Sequence, residues 1–191
     1  MATNIQASPT SGLIITPDQS GVLTLQSGAN TSTVPSVTGT LLTSGGGTTP
    51  AFSAYPPASN QSLTNNVWTK VTLSNTTWSV TTTYGYSTAN SRFTCVTPGY
   101  YYFAGSAYFA SSTNMTSSRL ALYYNGSAGF YGSFQPISTT DMITTVTGMF
   151  QLAAGDYIEL YAYTNGGTGQ VIAQYGSYTY LQGMFMRGNA V

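Results

Sequence analysis

The run Gly99–Ala110, Gly-Tyr-Tyr-Tyr-Phe-Ala-Gly-Ser-Ala-Tyr-Phe-Ala, constrains the fold more than any other part of the chain. Side chains on a strand alternate between its two faces. Tyr101, Phe103, Ala107 and Phe109 therefore point one way, and Tyr100, Tyr102, Ser106 and Tyr108 the other. Both faces carry aromatic rings, so both call for cover. A strand covered on two sides belongs in a sandwich interior, at a subunit contact, or in both. A Pro98-Gly99 turn separates it from a short strand at 91–96.

The same grammar continues through the rest of the chain. Runs rich in β-branched and aromatic residues at 67–73, 77–84, 117–125, 128–134, 143–153, 156–164, 169–175 and 177–187 read as strands. Asn65-Asn66, Asn125-Gly126, Ala154-Gly155-Asp156 and Asn165-Gly166-Gly167 punctuate them as turns. No segment has the period of an amphipathic helix. About ten short strands at this spacing predict an all-β, antiparallel fold, a sandwich or a jelly roll.

Before residue 52 the composition changes. All 2 Trp, 16 Tyr and 8 Phe lie from Phe52 onward. Residues 1–51 are rich in Ser, Thr and Gly, with short apolar pieces at Leu13-Ile14-Ile15, Val22-Leu23-Thr24-Leu25 and Leu41-Leu42. Such a segment cannot build a core of its own. It reads as an extended arm that pairs onto a neighbouring chain or lies along another surface, with Leu13, Ile14, Ile15, Val22, Leu23 and Leu25 as its attachment residues, ahead of a globular domain at 52–191.

Charge is almost absent: 4 Lys or Arg and 4 Asp or Glu among 191 residues, with net charge zero. A usual chain has about a quarter of its residues charged. Little electrostatic repulsion keeps copies apart, which favours association. Four scattered cations cannot form a phosphate-binding stripe, so nucleic acid is not an expected partner. The start, Met-Ala-Thr-Asn-Ile-Gln, has neither the charged nor the apolar region of a secretory signal, and no apolar run reaches the roughly 20 residues that span a bilayer. The expectation is cytosolic synthesis without membrane attachment.

Catalytic chemistry is poorly supplied. With no histidine, the Ser-His-Asp and Cys-His arrangements and histidine metal sites are all excluded. Asp156 and Glu159, three apart on one strand, point to opposite faces and do not make a carboxylate pair. Asp156 reads as a turn residue that binds local backbone amides, and Cys95 as a buried, inert thiol. Gly45-Gly46-Gly47 lacks the lysine of a phosphate loop and reads as a linker. No enzyme, cofactor or metal is expected. The tyrosines suit a half-buried interface, with an apolar ring and a polar tip; a sugar-binding platform uses the same residues.

Residues 92–109 resemble a signature shared by the complement head domains and the tumour necrosis factor superfamily, a Phe-Thr-x-x-x-Pro-Gly turn (93–99) leading into a Tyr-Tyr-Phe strand (101–103). Leu120-Ala-Leu-Tyr-Tyr-Asn-Gly126, Leu152-Ala-Ala-Gly-Asp-Tyr-Ile-Glu-Leu160 and Leu181-Gln-Gly-Met-Phe-Met186 are similar to later elements of that family in the same order, and Val67-Trp-Thr-Lys-Val71 suits its opening strand. The resemblance implies a ten-stranded jelly roll that trimerises about a threefold axis. Tyr100, Tyr102, Tyr108, Tyr157, Tyr161 and Tyr163 are the expected interface residues. The arm, through Ser11–Asp18, Val22–Leu25 and Thr38–Gly45, resembles amino-terminal segments of tailed-phage virion proteins.

Together these readings predict a phage virion structural protein: a homotrimeric capsid decoration (cement) protein on the virion exterior, its arm contacting the major capsid protein or another virion protein. The alternative is a short tail or neck fibre, or a fibre tip, whose Tyr-rich head binds host surface glycans. A secreted cytokine-like ligand ranks third.

Overall fold

The computed structural model describes residues 23–27, 30–34, 50–79, 85–110, 113, 115–133, 135–136 and 141–188. The chain divides into two compact units, Met1–Gly47 and Thr48–Val191. In the first, β1 (Leu23–Ser27) pairs antiparallel with β2 (Asn30–Val34), Leu23 opposite Val34 and Leu25 opposite Ser32. Leu13, Ile14, Ile15 and Val22 lie outside the described residues.

The second unit contains two seven-stranded sheets and, among the described residues, no helix. The first sheet is centred on β9 (Gly99–Ala110). Along one edge β9 pairs over its whole length with β13 (Asp141–Leu152), Leu152 opposite Gly99 and Asp141 opposite Ala110. Its other edge is shared end to end by β16 (Tyr180–Gly188) and the two-residue β15 (Val171–Ile172). Outside these lie β4 (Gln61–Ser62), paired to β15, and β3 (Ala51–Tyr55) followed by β6 (Asn75–Ser79), paired outward from β16.

The second sheet is centred on β10 (Ser117–Tyr124) and β14 (Tyr157–Asn165). β11 (Ser127–Tyr131) and β12 (Gln135–Pro136) flank β10. β5 (Thr69–Lys70) and β8 (Arg92–Thr94) share the free edge of β14, and β7 (Tyr86–Ser87) closes the sheet.

The long strands fall where the alternation and turn signals put them. Asn125 and Gly126 take positive φ, 49° and 81°, in the turn that joins β10 to β11. Among the longer strands of this unit the exception is β3, which the sequence reading missed along with the two-residue β4, β7 and β12. Its five residues begin where the Ser/Thr/Gly-rich composition ends, so they read as a boundary. They are instead central: Phe52 and Ala54 are both buried, at 2% and 0% exposure.

Aromatic rings fill the space between the sheets. Phe103, fully buried on β9, lies 5.4 Å from Phe93 and 5.9 Å from Phe150 between ring centroids, both edge-on. Phe52 stacks on Tyr86 at 4.6 Å and on Phe93 at 5.5 Å. Leu120, Leu122, Ile158 and Leu160 close the core from the second sheet, all at 0% exposure.

Gly183 on β16 makes room for this stack. A Cβ built there would sit 2.5 Å from a ring carbon of Phe52 and 2.7 Å from one of Phe103. The Gly in the Leu181–Met186 segment thus has a steric cause. Gly183→Ala should cost about 1–3 kcal/mol through overpacking, read as a lowered denaturation midpoint. An unchanged midpoint would show that the rings can retreat.

Candidate functional site

Outward-pointing residues of the first sheet form one face. Opposite positions in the register give rows that cross β13, β9 and β16: Gln151–Tyr100–Arg187, Met149–Tyr102–Met184, Thr147–Ala104–Gln182 and Thr145–Ser106–Tyr180, with Ile143 opposite Tyr108 at the far end. The second row stands bare, with Met149 55%, Tyr102 37% and Met184 48% exposed. Ile143 and Met186 add exposed apolar surface. Large apolar side chains gathered on one face mark an interaction surface more often than singly scattered ones do. The face holds one cation, Arg187, over the Tyr100 ring at 4.8 Å.

The second sheet presents a different outer face. Tyr161 stacks on Tyr123 at 3.9 Å and 19°. Trp68, just before β5, packs against Tyr163 at 5.3 Å, Tyr131 at 5.7 Å and Tyr123 at 6.1 Å. Arg92 covers the Tyr157 ring at 4.4 Å. Burial raises the Tyr123 and Tyr161 phenol pKa values, with Tyr131 and Glu159 respectively adding to the effect, so both hydroxyls stay protonated. Glu159 lies on this face too, nearly buried, with Lys70 Nζ 3.2 Å from its carboxylate.

The six tyrosines expected at one interface therefore occupy two surfaces. Tyr100, Tyr102 and Tyr108 point out from the first sheet. Tyr157, Tyr161 and Tyr163 point out from the second, beyond the core. A Cβ at Gly105 of β9 would fall 2.6 Å from Leu160 of β14, so the inner faces of these strands touch and their outer faces look in opposite directions. Sequence reasoning also passed over Met149, Met184 and Trp68. The strict alternation of β13, exposed at Ile143, Thr145, Thr147, Met149 and Gln151, was the signal available for the first of these.

Asp156 and Cys95 sit in structural positions. Asp156 accepts hydrogen bonds from the Ala153 N–H at 2.7 Å, the Asn125 amide at 2.8 Å and the Tyr124 hydroxyl at 3.0 Å. The Asn125 bond, followed by the Ala153 amide, lowers its pKa. A depressed folded-state pKa gives stability that is present above the unfolded value of about 3.9 and is lost as pH falls through the folded value. Asp156→Asn should accordingly flatten the acid limb of a melting-temperature profile below about pH 5; an acid limb identical to that of the parent chain would show that these bonds carry no pH-dependent stability. Cys95 is buried at 2% exposure, and burial raises its pKa. Among the described residues no three His, Cys, Asp or Glu side chains gather as a metal site.

No family model and no curated protein matches the chain. Solved structures do. The globular domain of zebrafish complement 1qA protein is similar at 21% identity and a TM-score of 0.50, over 74% of this chain and 99% of that one. Murine APRIL at pH 8.0 is similar at 14% identity and a TM-score of 0.54, over 72% and 99%. Eiger TNF from S. frugiperda is similar at 13% identity and a TM-score of 0.53, over 75% and 96%. At such identities the likeness speaks for the fold alone, and with the sheet order above it makes residues 48–191 a jelly roll of the complement C1q and tumour necrosis factor type.

Proposed function

We propose that this chain is a non-catalytic assembly protein that forms a homotrimer through the outer face of β9, β13 and β16. The observation that carries the reading is the bare Met149–Tyr102–Met184 row on a nearly charge-free molecule. Burying one Met side chain fully yields roughly 1.5–3 kcal/mol. Two methionines and a tyrosine per protomer thus supply several kcal/mol against the cost of association. Zero net charge adds no repulsion between copies.

In its finer form the proposal makes the chain a decoration protein of a tailed-phage capsid. The arm at 1–51 lies along the capsid lattice, and the trimeric head projects outward. What supports this is the arm's composition, which needs a partner surface to be ordered. Three arms on one trimer multiply the binding of each.

Solution mass tests the trimer: at 20.1 kDa per chain, light scattering should read about 60 kDa. A monomer mass at tens of micromolar would overturn it. Deleting residues 1–50 and mixing the product with undecorated capsids tests the arm; undiminished binding would remove it from the attachment.

A further inference from the structure

The second sheet's outer face holds a groove of about 420 Å³ beside Trp68, lined by Thr116, Ser117, Arg119, Tyr163 and Asn165. That volume lies within the roughly 300–1,000 Å³ of small-molecule sites. We infer that this groove is a carbohydrate site in which a sugar ring stacks on the Trp68–Tyr163 pair.

The chemistry of the lining carries the inference. A pyranose presents an apolar face of C–H groups and a rim of hydroxyls that must each find a hydrogen-bond partner. An indole offers the electron-rich π face that attracts those C–H groups. Trp68 is held in position by three tyrosines, at centroid distances of 5.3, 5.7 and 6.1 Å, so little side-chain freedom remains to be lost on binding.

Polar groups of the same lining supply the rim's partners. Thr116 Oγ1 donates to the Asn165 carbonyl at 2.9 Å and lies 3.4 Å from its Oδ1, so the Asn165 side chain is held beside Thr116 in the lining. Tyr163 Oη donates to Asn66 Oδ1 at 3.1 Å and retains lone pairs to accept. Ser117 and Arg119 complete a set of hydroxyl, amide and guanidinium groups. A protein surface would favour the flat, Met-rich face of the first sheet over this concave and mostly polar one. Because that flat face and the groove lie on opposite sides of the sandwich, a trimer formed through the flat face leaves the groove open.

The test is binding of the full chain to an array of hexose, N-acetylhexosamine and hexuronate oligosaccharides. The expected result is saturable binding to at least one class, lost tenfold or more in Trp68→Ala and in Asn165→Ala, and kept in Tyr175→Ala, which alters an exposed tyrosine cluster on Tyr108 and Tyr178. A second readout does not depend on the Trp68→Ala variant folding. Trp78→Phe leaves Trp68 as the sole tryptophan, and titration with the bound oligosaccharide should change its fluorescence. The inference is overturned by an array without signal, by loss of binding in Tyr175→Ala with Trp68→Ala unaffected, or by an emission that does not respond to the sugar.

Discussion

Phe103→Ala should remove about 3–5 kcal/mol of stability, the range for deleting a buried phenyl ring. Four rings surround Phe103: Phe93 and Phe150 meet it edge-on, while Phe52 and Tyr101 lie 6.3 and 6.2 Å away. They belong to β8, β13, β3 and β9 itself, so the cavity would loosen both sheets at once. Collapse cannot refill it easily, because β9 is pinned along both edges by ladder hydrogen bonds to β13 and β16. Against a domain stability of about 5–15 kcal/mol, the loss is a large share of the total. Equilibrium unfolding in urea at equal protomer concentration measures it. A cost under about 1 kcal/mol would mean that the ring stack is not the centre of the core. Gly183→Ala, which crowds the same ring, should be less harmful in a Phe103→Leu background, since the two sites share a contact.

Tyr102→Lys should turn the proposed trimer into a folded monomer. The side chain is 37% exposed and points away from the core, so the substitution leaves the interior intact. In a threefold contact it would bring three like charges together where Met149 and Met184 of the same row offer no counter-ion. Charges 4 Å apart repel by about 4 kcal/mol per pair at an effective dielectric constant of 20. The mass should fall to 20.1 kDa while the unfolding slope with denaturant changes little per chain. A Tyr102→Lys chain that still sediments as a trimer would move the contact off this face. Tyr161→Lys, on the opposite face, should leave the mass unaltered.

Strand parity was legible in the sequence, and sheet membership was not. Gly99–Ala110 was read with its correct bounds and facing, because rings and small residues alternate there without a break. The Asn125-Gly126 turn and the Asp156 turn were equally plain, since each uses residues suited to its backbone or its local hydrogen bonds. Tyr157, Tyr161 and Tyr163 alternate just as cleanly as Tyr100, Tyr102 and Tyr108. Period two says that three rings share a face; it does not say which of two sheets owns it. Met149 and Met184 escaped notice for a related reason: methionine is usually a core residue, and only the register shows both in one bare row with Tyr102. Trp68 looked like part of an opening strand, and its cluster forms from β10, β11 and β14, far away in sequence. Of the six expected arm attachment residues, only Leu23 and Leu25 fall within the described chain.

Cys95 is the sole thiol, sealed at the foot of β9, where its Sγ and the Tyr101 hydroxyl both reach the Thr97 carbonyl, at 3.2 and 2.7 Å. Burial removes it from reagents and disfavours the thiolate, the only form that reacts. The chain thus carries its own single-site clock. A thiol reagent would label only those molecules in which this corner has opened, and its rate, referred to that of the unfolded chain, would read the opening free energy of the strand from which the whole fold is recognised.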